Sequence, residues 1–347
     1  MKIPPRLKIG DKVAVLSPSA GLPAIFPHVY ELGLKRLKEN FGLEPVEFAT
    51  TRQSPASLAA NPKARADDIN AAFLDPSIKA IFATIGGNDQ IRVLPYLDQR
   101  AIAENPKIFV GYSDNTNLHF LLWNLGIVSY YGANLMTQFA MQGKMHEYTE
   151  KSIRKALFES ALGEVYPASE WTDEDLPWDD PKNLYKSRTL YPNEGWQWHR
   201  HEGKVVEGIL WGGCLEVIEM HLLIRRYLPS PDKLSDTVLF LETSEEMPTE
   251  GFVYRFFAAL AELGLLQKFK GLLIGRPKAQ FCGTFPTEGR DAFIAHQAQA
   301  IQRALKDFHC DLLTVFNVDF GHTDPQILIP SGGKVRIDGL ERRIYFK

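Results

Sequence analysis

The sequence predicts an α/β protein in two parts, and three observations support this prediction. Through the first 160 residues, short apolar runs alternate with segments of helical period, a pattern typical of parallel strands joined by crossover helices. Beyond residue 202, strand-like and helix-like segments follow each other less regularly. The segment between them, 166–202, has no regular period, and a chain of 347 residues can build two hydrophobic cores.

The first part of the chain has a strand–helix order. Short apolar runs predict strands, and longer segments with apolar residues every three or four positions predict helices. In chain order these are KVAVLS, the helix HVYELGLKRLKENFG, EPVEFA, the helix ARADDINAAFLD, KAIFATIGG, and KIFVGYS with the helix after it. Because ligands bind at the carboxyl ends of strands in such a sheet, the residues that follow these runs are the first site candidates.

The second part mixes both kinds of element. Its predicted strands are VVEGILWGG, TVLFLETSEE, GLLIGRP and LLTVFNVDFGH, followed by the hairpin-like IPSGGKVRIDGLERRIYF. Its predicted helices run from about Cys214 to Tyr227, over GFVYRFFAALAELG, and near 290–308. The intervening segment contains four tryptophans and many acidic residues, which indicates a long ordered loop. We therefore predict domains at 1–165 and 203–347, joined by a Trp-rich connecting loop at 166–202.

Composition and charge exclude several classes of partner. The net charge is −3 and no run of Lys or Arg occurs, so neither nucleic acid nor an anionic membrane surface is expected. The N-terminal segment has only four consecutive apolar residues after its charges, too few for a signal peptide, and no segment approaches a membrane span. We expect a cytoplasmic protein with small partners. Three widely spaced cysteines predict neither a disulfide framework nor a CxxC metal site.

Ser113 lies where an apolar strand ends and a helix begins, in KIFVGYSDNTNLHFLLWNLG. A serine at this point can cap the helix by accepting hydrogen bonds from its first N–H groups. The same junction can also present a nucleophile. The residues around Ser113 do not decide between the two.

Two further strand ends contain groups that could act with this serine. TVLFL ends in Glu242, a carboxylate that could cap a helix or bind an arginine. LLTVFNVDFG is followed by His322, which could be a hydrogen-bonded loop histidine. Acyl transfer by serine needs a base and a carboxylate that orients it, and these residues are of the required types.

A fourth strand end, AIFATIGG, contains Gly86 and Gly87. Bare backbone there could approach a substrate and donate an N–H group to an oxyanion, with the N–H of Asp114 as the second donor. The alternatives are an ordinary turn or a weak phosphate site. The sequence His199-x-His201-Glu202 lacks the helical HExxH spacing, so we expect neither a metal nor another cofactor.

Six motifs together resemble the LD-carboxypeptidase family of serine peptidases, and more narrowly its microcin C immunity-type branch. They are SPS, IGGND, VGYSDNT, GGCL, LFLETSEE and DFGHTDPQ, in the family's order. The resemblance implies a triad with Ser113 as nucleophile, Glu242 as acid and His322 as base. It also implies a flavodoxin-like N-terminal domain, a smaller β-rich C-terminal domain, an active site between them, and a homodimer.

Two features bear on the substrate that the resemblance implies. Cys214 stands where family members commonly have the asparagine of GGNL, so a contact to substrate could differ. The branch resembles this chain in a Trp-bearing insertion that stacks on a nucleotide, and Trp171 and Trp178 in WTDEDLPW match it best. Alternatively, these tryptophans hold the loop against the protein or fill a dimer interface.

The leading hypothesis is a metal-independent serine hydrolase that cleaves peptidyl- or aminoacyl-nucleotides of the microcin C type. An alternative in the same class is an LD-carboxypeptidase that cleaves murein tetrapeptides in cell-wall recycling. An alternative in another class is a two-domain ligand-binding protein without turnover.

Overall fold

The computed structural model describes residues 1–159 and 161–347. Its strands are β1 (Lys12–Leu16), β2 (Glu44–Glu47), β3 (Ile78–Ala83), β4 (Ile108–Gly111), β5 (Ser129–Tyr131), β6 (Gly163–Val165), β7 (Glu170–Trp171), β8 (Tyr191–Pro192), β9 (Gln197–His199), β10 (Val205–Cys214), β11 (Thr237–Glu242), β12 (Gly271–Gly275), β13 (Leu313–Val318), β14 (Ile329–Ser331), β15 (Lys334–Asp338) and β16 (Arg343–Phe346). Its helices are α1 (Leu22–Ile25), α2 (Pro27–Phe41), α3 (Pro55–Ala60), α4 (Pro62–Leu74), α5 (Gln99–Glu104), α6 (Thr116–Asn124), α7 (Glu147–Phe158), α8 (Leu215–Ile224), α9 (Pro231–Leu234), α10 (Glu250–Glu262) and α11 (Arg290–Asp307).

The chain divides into two compact units. The first unit comprises Met1–Ala161, Leu176–Arg188 and Ile327–Gly332. The second unit comprises Leu162–Asp175, Thr189–Gln326 and Gly333–Lys347. None of the helices in the described part of the chain has the length and apolar character needed to span a bilayer.

The first unit is built on a sheet with strand order β14-β5-β4-β3-β1-β2. Strands β1 to β5 pair in parallel, in the order 2-1-3-4-5 that is typical of flavodoxin-like folds. Every residue of β4 is buried, as expected for an interior strand covered on both faces. The predicted α/β class with a flavodoxin-like first domain is confirmed.

The second unit is built on a sheet with strand order β6-β16-β15-β10-β11-β12-β13-β9. Its centre, β10 to β13, is parallel, and antiparallel strands extend it on both sides. This confirms the predicted β-rich second domain. Parallel pairing brings the carboxyl ends of β10 and β11 together, with Cys214 opposite Glu242.

Two segments differ in detail from the sequence expectation. The segment 166–202 contains the short strands β7, β8 and β9, and its residues are divided between the two units. The last predicted hairpin is correct for β15 and β16, but the IPS that precedes it forms β14, which pairs with β5 in the first sheet. Strands of two or three residues are too short to show a period, so the sequence pattern does not reveal their partners.

Candidate active site

Ser113 follows β4 and opens a short 3-10 turn, Ser113–Asn115, that leads into α6. Its φ of 66° lies in the left-handed region, which costs a non-glycine residue about 1–3 kcal/mol, and residues strained in this way cluster at functional sites. The Ser113 N–H donates to the Tyr131 hydroxyl at 3.1 Å, and its carbonyl accepts from the Thr116 hydroxyl at 2.7 Å. Asn115, and not Ser113, occupies the N-cap position of α6, so Ser113 is not the helix cap considered above.

Gly86 lies beside this serine, and its missing side chain leaves the serine accessible. A Cβ atom on Gly86 would lie 2.9 Å from the Ser113 Cβ, 3.0 Å from its Oγ and 3.4 Å from the Asp114 backbone nitrogen. A Cβ on Gly87 would collide with the Ser19 hydroxyl. Gly86 is therefore adjacent to both Ser113 and the backbone nitrogen of Asp114, and a side chain at position 86 would obstruct the serine.

The Asp114 side chain fixes the loop 86–90 to the serine turn, which is the 3-10 turn Ser113–Asn115. This residue is 1% exposed, and its Oδ2 accepts hydrogen bonds from the backbone N–H groups of Asp89 at 3.0 Å and Gln90 at 2.9 Å, and from the Ser19 hydroxyl. Oδ1 accepts from the Asn117 amide at 2.8 Å. Burial raises the pKa of Asp114, although these hydrogen bonds favour the carboxylate.

Arg65 anchors the same loop from α4. Its side chain is fully buried and makes a bidentate pair with Asp89, with N···O distances of 2.7 and 2.9 Å. Neither this role nor that of the Asp114 carboxylate was predicted from the sequence. In ARADDINAAFLD an arginine has no feature that distinguishes a buried anchor from a solvated helix residue.

His322 and Glu242 form a buried pair in the second unit. The His322 Nδ1 lies 2.6 Å from the Glu242 Oε2, and the two side chains are 8% and 0% exposed. Gly321, at φ +97°, leaves room for this contact, because a Cβ there would lie 2.6 Å from the same oxygen. The carboxylate therefore favours the tautomer with a proton on Nδ1, which leaves Nε2 for proton transfer.

A second carboxylate contacts the other ring nitrogen of this histidine. The His322 Nε2 lies 3.1 Å from the Oε2 of Glu245, whose side chain is 43% exposed. Burial opposes the charged form of His322, but Glu242 and Glu245 together hold its pKa well above the usual range. Burial also opposes ionisation of Glu245, yet the histidine lowers the pKa of that carboxyl to about 2. Glu245 was not predicted from the sequence as a site residue.

Cys214 lies at the end of β10, beside Glu242 at the end of β11, and is buried. Its thiol donates to the Glu216 Oε2 at 3.1 Å, while the Glu216 Oε1 accepts from the N–H and hydroxyl of Ser244 at 3.0 and 2.7 Å. Burial raises the pKa values of the Cys214 thiol and the Glu216 carboxyl. The thiol is therefore protonated at neutral pH and acts here as a hydrogen-bond donor.

The two candidate tryptophans have different environments. Trp171, in the second unit, is 7% exposed and packs under the guanidinium groups of Arg276 and Arg290, 4.6 and 5.8 Å from the ring centre. Trp178, in the first unit, is half-buried and meets Phe26 edge to face at 5.6 Å. The Trp178 carbonyl accepts a hydrogen bond from the His28 Nε2 at 2.7 Å.

The candidate residues form two groups. The first unit contains Ser113, Gly86, Gly87, Asp114 and Trp178, and the second unit contains Glu242, His322, Cys214 and Trp171.

The histidines of the His199-x-His201-Glu202 sequence were considered above as metal ligands. The His201 Nδ1 lies 2.9 Å from the Gly339 carbonyl oxygen. Among the residues described, no cluster of three or more His, Cys, Asp or Glu side chains could hold a metal.

Comparison with known proteins agrees with the motifs. The LD-carboxypeptidase N-terminal domain model matches residues 13–132, and the C-terminal domain model matches residues 207–337. The Escherichia coli microcin C7 self-immunity protein MccF is 26% identical, over 96% of this chain and 92% of that protein. A Bacillus subtilis protein named "Probable murein peptide carboxypeptidase" is 25% identical, over 98% and 92% of the two chains.

A solved structure extends this similarity to the fold. The MccF-like protein from Streptococcus pneumoniae in complex with AMP has a TM-score of 0.84 and 28% identity, over 97% of this chain and 99% of that chain. The resemblance predicted from the motifs is thus confirmed, and it extends over nearly the whole sequence. The chain belongs to the LD-carboxypeptidase family and is a serine peptidase.

Proposed function

We propose that this protein is a serine carboxypeptidase or amidase whose triad is Ser113, His322 and Glu242. The observation that carries the proposal is the 2.6 Å contact between the His322 Nδ1 and the fully buried Glu242 carboxylate. A buried carboxylate on Nδ1 orients a histidine as a general base and stabilises its charged form. The strained backbone of Ser113 and the missing side chain of Gly86 support the choice of nucleophile.

The proposed reaction is acyl transfer to water. The Ser113 Oγ attacks the carbonyl carbon of the amide while the His322 Nε2 takes the hydroxyl proton. The N–H groups of Gly87 and Asp114 stabilise the oxyanion. The C–N bond breaks as His322 gives its proton to the leaving nitrogen, and water, deprotonated by the same histidine, hydrolyses the ester. No step needs a metal or cofactor.

For the substrate, we propose a peptidyl- or aminoacyl-nucleotide of the microcin C type, and hence a role in detoxification. The 28% identical S. pneumoniae structure contains AMP, and the 26% identical E. coli relative is a microcin self-immunity protein. Trp178 is half-buried, so part of its indole remains available for stacking on a base. We further propose that the protein is cytoplasmic and forms a homodimer. Light scattering after gel filtration would test the dimer.

Two observations favour the murein alternative. Trp171, the other expected stacking residue, is 7% exposed and covered by Arg276, so its indole is occupied within its own unit. The similarity to the B. subtilis protein named for murein peptides points in the same direction. Cleavage of the L,D-bond of a murein tetrapeptide would use the same three residues.

Direct incubation tests the proposal. The protein is mixed separately with an aspartyl sulfamoyl nucleotide and a murein tetrapeptide, and the products are identified by mass spectrometry, with Ser113→Ala as the control. Cleavage of the nucleotide conjugate supports the proposal, and cleavage of the tetrapeptide alone supports the murein alternative. A fluorophosphonate that fails to label Ser113 would favour the ligand-binding protein without turnover.

A further inference from the structure

His322 has a carboxylate on each of its ring nitrogens. Glu242 contacts Nδ1 at 2.6 Å from the end of β11, and Glu245, three residues further along, contacts Nε2 at 3.1 Å. A histidine that donates to both carboxylates is an imidazolium, with no lone pair on either nitrogen. In this arrangement Nε2 cannot accept the proton of a serine hydroxyl.

We propose that Glu245 is a displaceable partner that holds His322 in its charged form and has to leave Nε2 before the histidine can act as a base. This inference rests on the proposed function, because it assigns Glu245 a positioning role for the proposed base. With Glu245 in contact, His322 is charged and cannot act as a base. The rate of acyl transfer then depends on how easily Glu245 is displaced.

The different exposures of the two carboxylates show which one can move. Glu242 has no exposed side-chain surface, so withdrawing it would leave a buried charge without its partner. The Glu245 side chain is 43% exposed, so its carboxylate can turn into water and remain solvated there. Because the contact with His322 keeps the pKa of Glu245 near 2, Glu245 stays ionised at neutral pH and is not released by protonation.

Other charged groups around this pair modify the contact without replacing it. From α8, Glu216 adds negative charge near Glu242, and the Cys214 thiol at the end of β10 is neutral. Lys278, which follows β12, also lowers the pKa of Glu245, and its Nζ is held 2.9 Å from the Asp175 Oδ2. Of these groups, Glu245 is the carboxylate in contact with the His322 Nε2. Replacing Glu245 should therefore change the rate of Ser113 labelling at acidic pH more than replacing any of the others.

Replacing Glu245 by glutamine should therefore lower the pKa of His322 by about one unit. An opposite charge in contact shifts a pKa by about 1–3 units, and the solvent exposure of Glu245 places the expected shift at the low end of that range. Well below that pKa, the neutral fraction of the histidine rises tenfold for each unit by which the pKa falls. The Glu245→Gln enzyme should be about tenfold faster on the acid side and equal to the unmodified enzyme on the alkaline plateau. Glu245→Asp, with a shorter side chain, should give a smaller shift.

The experiment measures two quantities across pH. One is the rate at which a fluorophosphonate labels Ser113, which needs no knowledge of the substrate. The other is the His322 titration by NMR, assigned among the nine histidines by comparison with His322→Ala. The matched control is Glu250→Gln, which removes one exposed negative charge at the start of α10.

A shift of both measurements in Glu245→Gln but not in Glu250→Gln supports the proposal. Profiles that superimpose on the unmodified protein, or equal shifts in both variants, overturn it. If Ser113 is labelled in no variant, the proposed triad fails, while the NMR titration still decides whether Glu245 holds the imidazolium. Circular dichroism melts of both variants exclude a general loss of structure.

Discussion

Asp114→Asn tests how the serine turn is held. The substitution keeps the size of the side chain but replaces one acceptor oxygen with an NH₂ donor. At Oδ2 that donor would face the N–H groups of Asp89 and Gln90, at 3.0 and 2.9 Å, and the Ser19 hydroxyl. At Oδ1 it would face the Asn117 amide at 2.8 Å. Neither orientation of the new amide satisfies every donor.

The cost follows from these hydrogen bonds. Bonds to a charged group contribute about 1.5–3 kcal/mol each, against about 0.5–1.5 kcal/mol for neutral ones, and an unsatisfied buried donor costs about 1–3 kcal/mol. Burial offsets part of this, because it raises the pKa of Asp114 and so already disfavours the carboxylate. We expect a net loss of about 2 kcal/mol, or a melting temperature lower by roughly 4–8 °C. We also expect fluorophosphonate labelling of Ser113 to slow by about 10²-fold, since a misplaced oxyanion donor costs that much.

Asp68→Asn is the matched control. Asp68 is also buried in the first unit and accepts from the N–H and hydroxyl of Thr50 at 2.7 and 2.6 Å, and the hydrogen bonds it makes among the described residues do not involve the serine turn. It should lose stability while keeping its labelling rate. If Asp114→Asn melts earlier yet labels as fast as Asp68→Asn, the Asp114 carboxylate stabilises the fold without positioning the site, contrary to this prediction.

Three further predictions concern the proposed chemistry. Ser113→Ala and His322→Ala should each lower kcat by roughly 10⁴- to 10⁶-fold without loss of fold, and the double variant by little more, because the residues act as a unit. Trp178→Ala should raise KM for an aminoacyl-nucleotide by roughly 5- to 150-fold, the equivalent of one stacked base, with unchanged cleavage of a peptide without a base. The pKa of His322 is raised in the folded protein, so the histidine contributes fully to the free energy of unfolding below about pH 6.5, and this contribution is lost as pH rises through the folded pKa. The rate of Ser113 labelling should rise over the same pH range.

Each of these has a result that would contradict it. A double variant that loses the product of the single effects would mean that Ser113 and His322 do not share a step. Equal loss on both substrates in Trp178→Ala, or a lower melting temperature that accounts for it, would make Trp178 a structural residue that supports Phe26. A stability profile that stays the same in His322→Ala would remove the histidine as the source of the pH dependence.

The periods in the sequence were enough to predict strands β1 to β4 of the first sheet and the chemical types at the strand ends. Periods of two and 3.6 residues are local, and the apolar runs that form these four strands alternate in the chain with segments of helical period. The same reasoning selected Ser113, Glu242 and His322 as polar residues at or just after apolar runs. Six motifs in one order then identified the family, which the family models confirm.

Only the tertiary structure determined the partners of these groups, because a partner distant in sequence leaves no trace in a local pattern. Arg65 could have been a solvated helix residue, but it is buried against Asp89. Glu245 could have been one more acid in TSEE, but folding brings it to the Nε2 of a histidine 77 positions away (322 − 245). Trp171 and Trp178 come from one motif, yet packing buries the first and leaves the second partly exposed. The burial and the partners of a side chain depend on which strands become neighbours. Strand pairing depends on packing across the whole sheet, so the sequence of a single segment does not determine it.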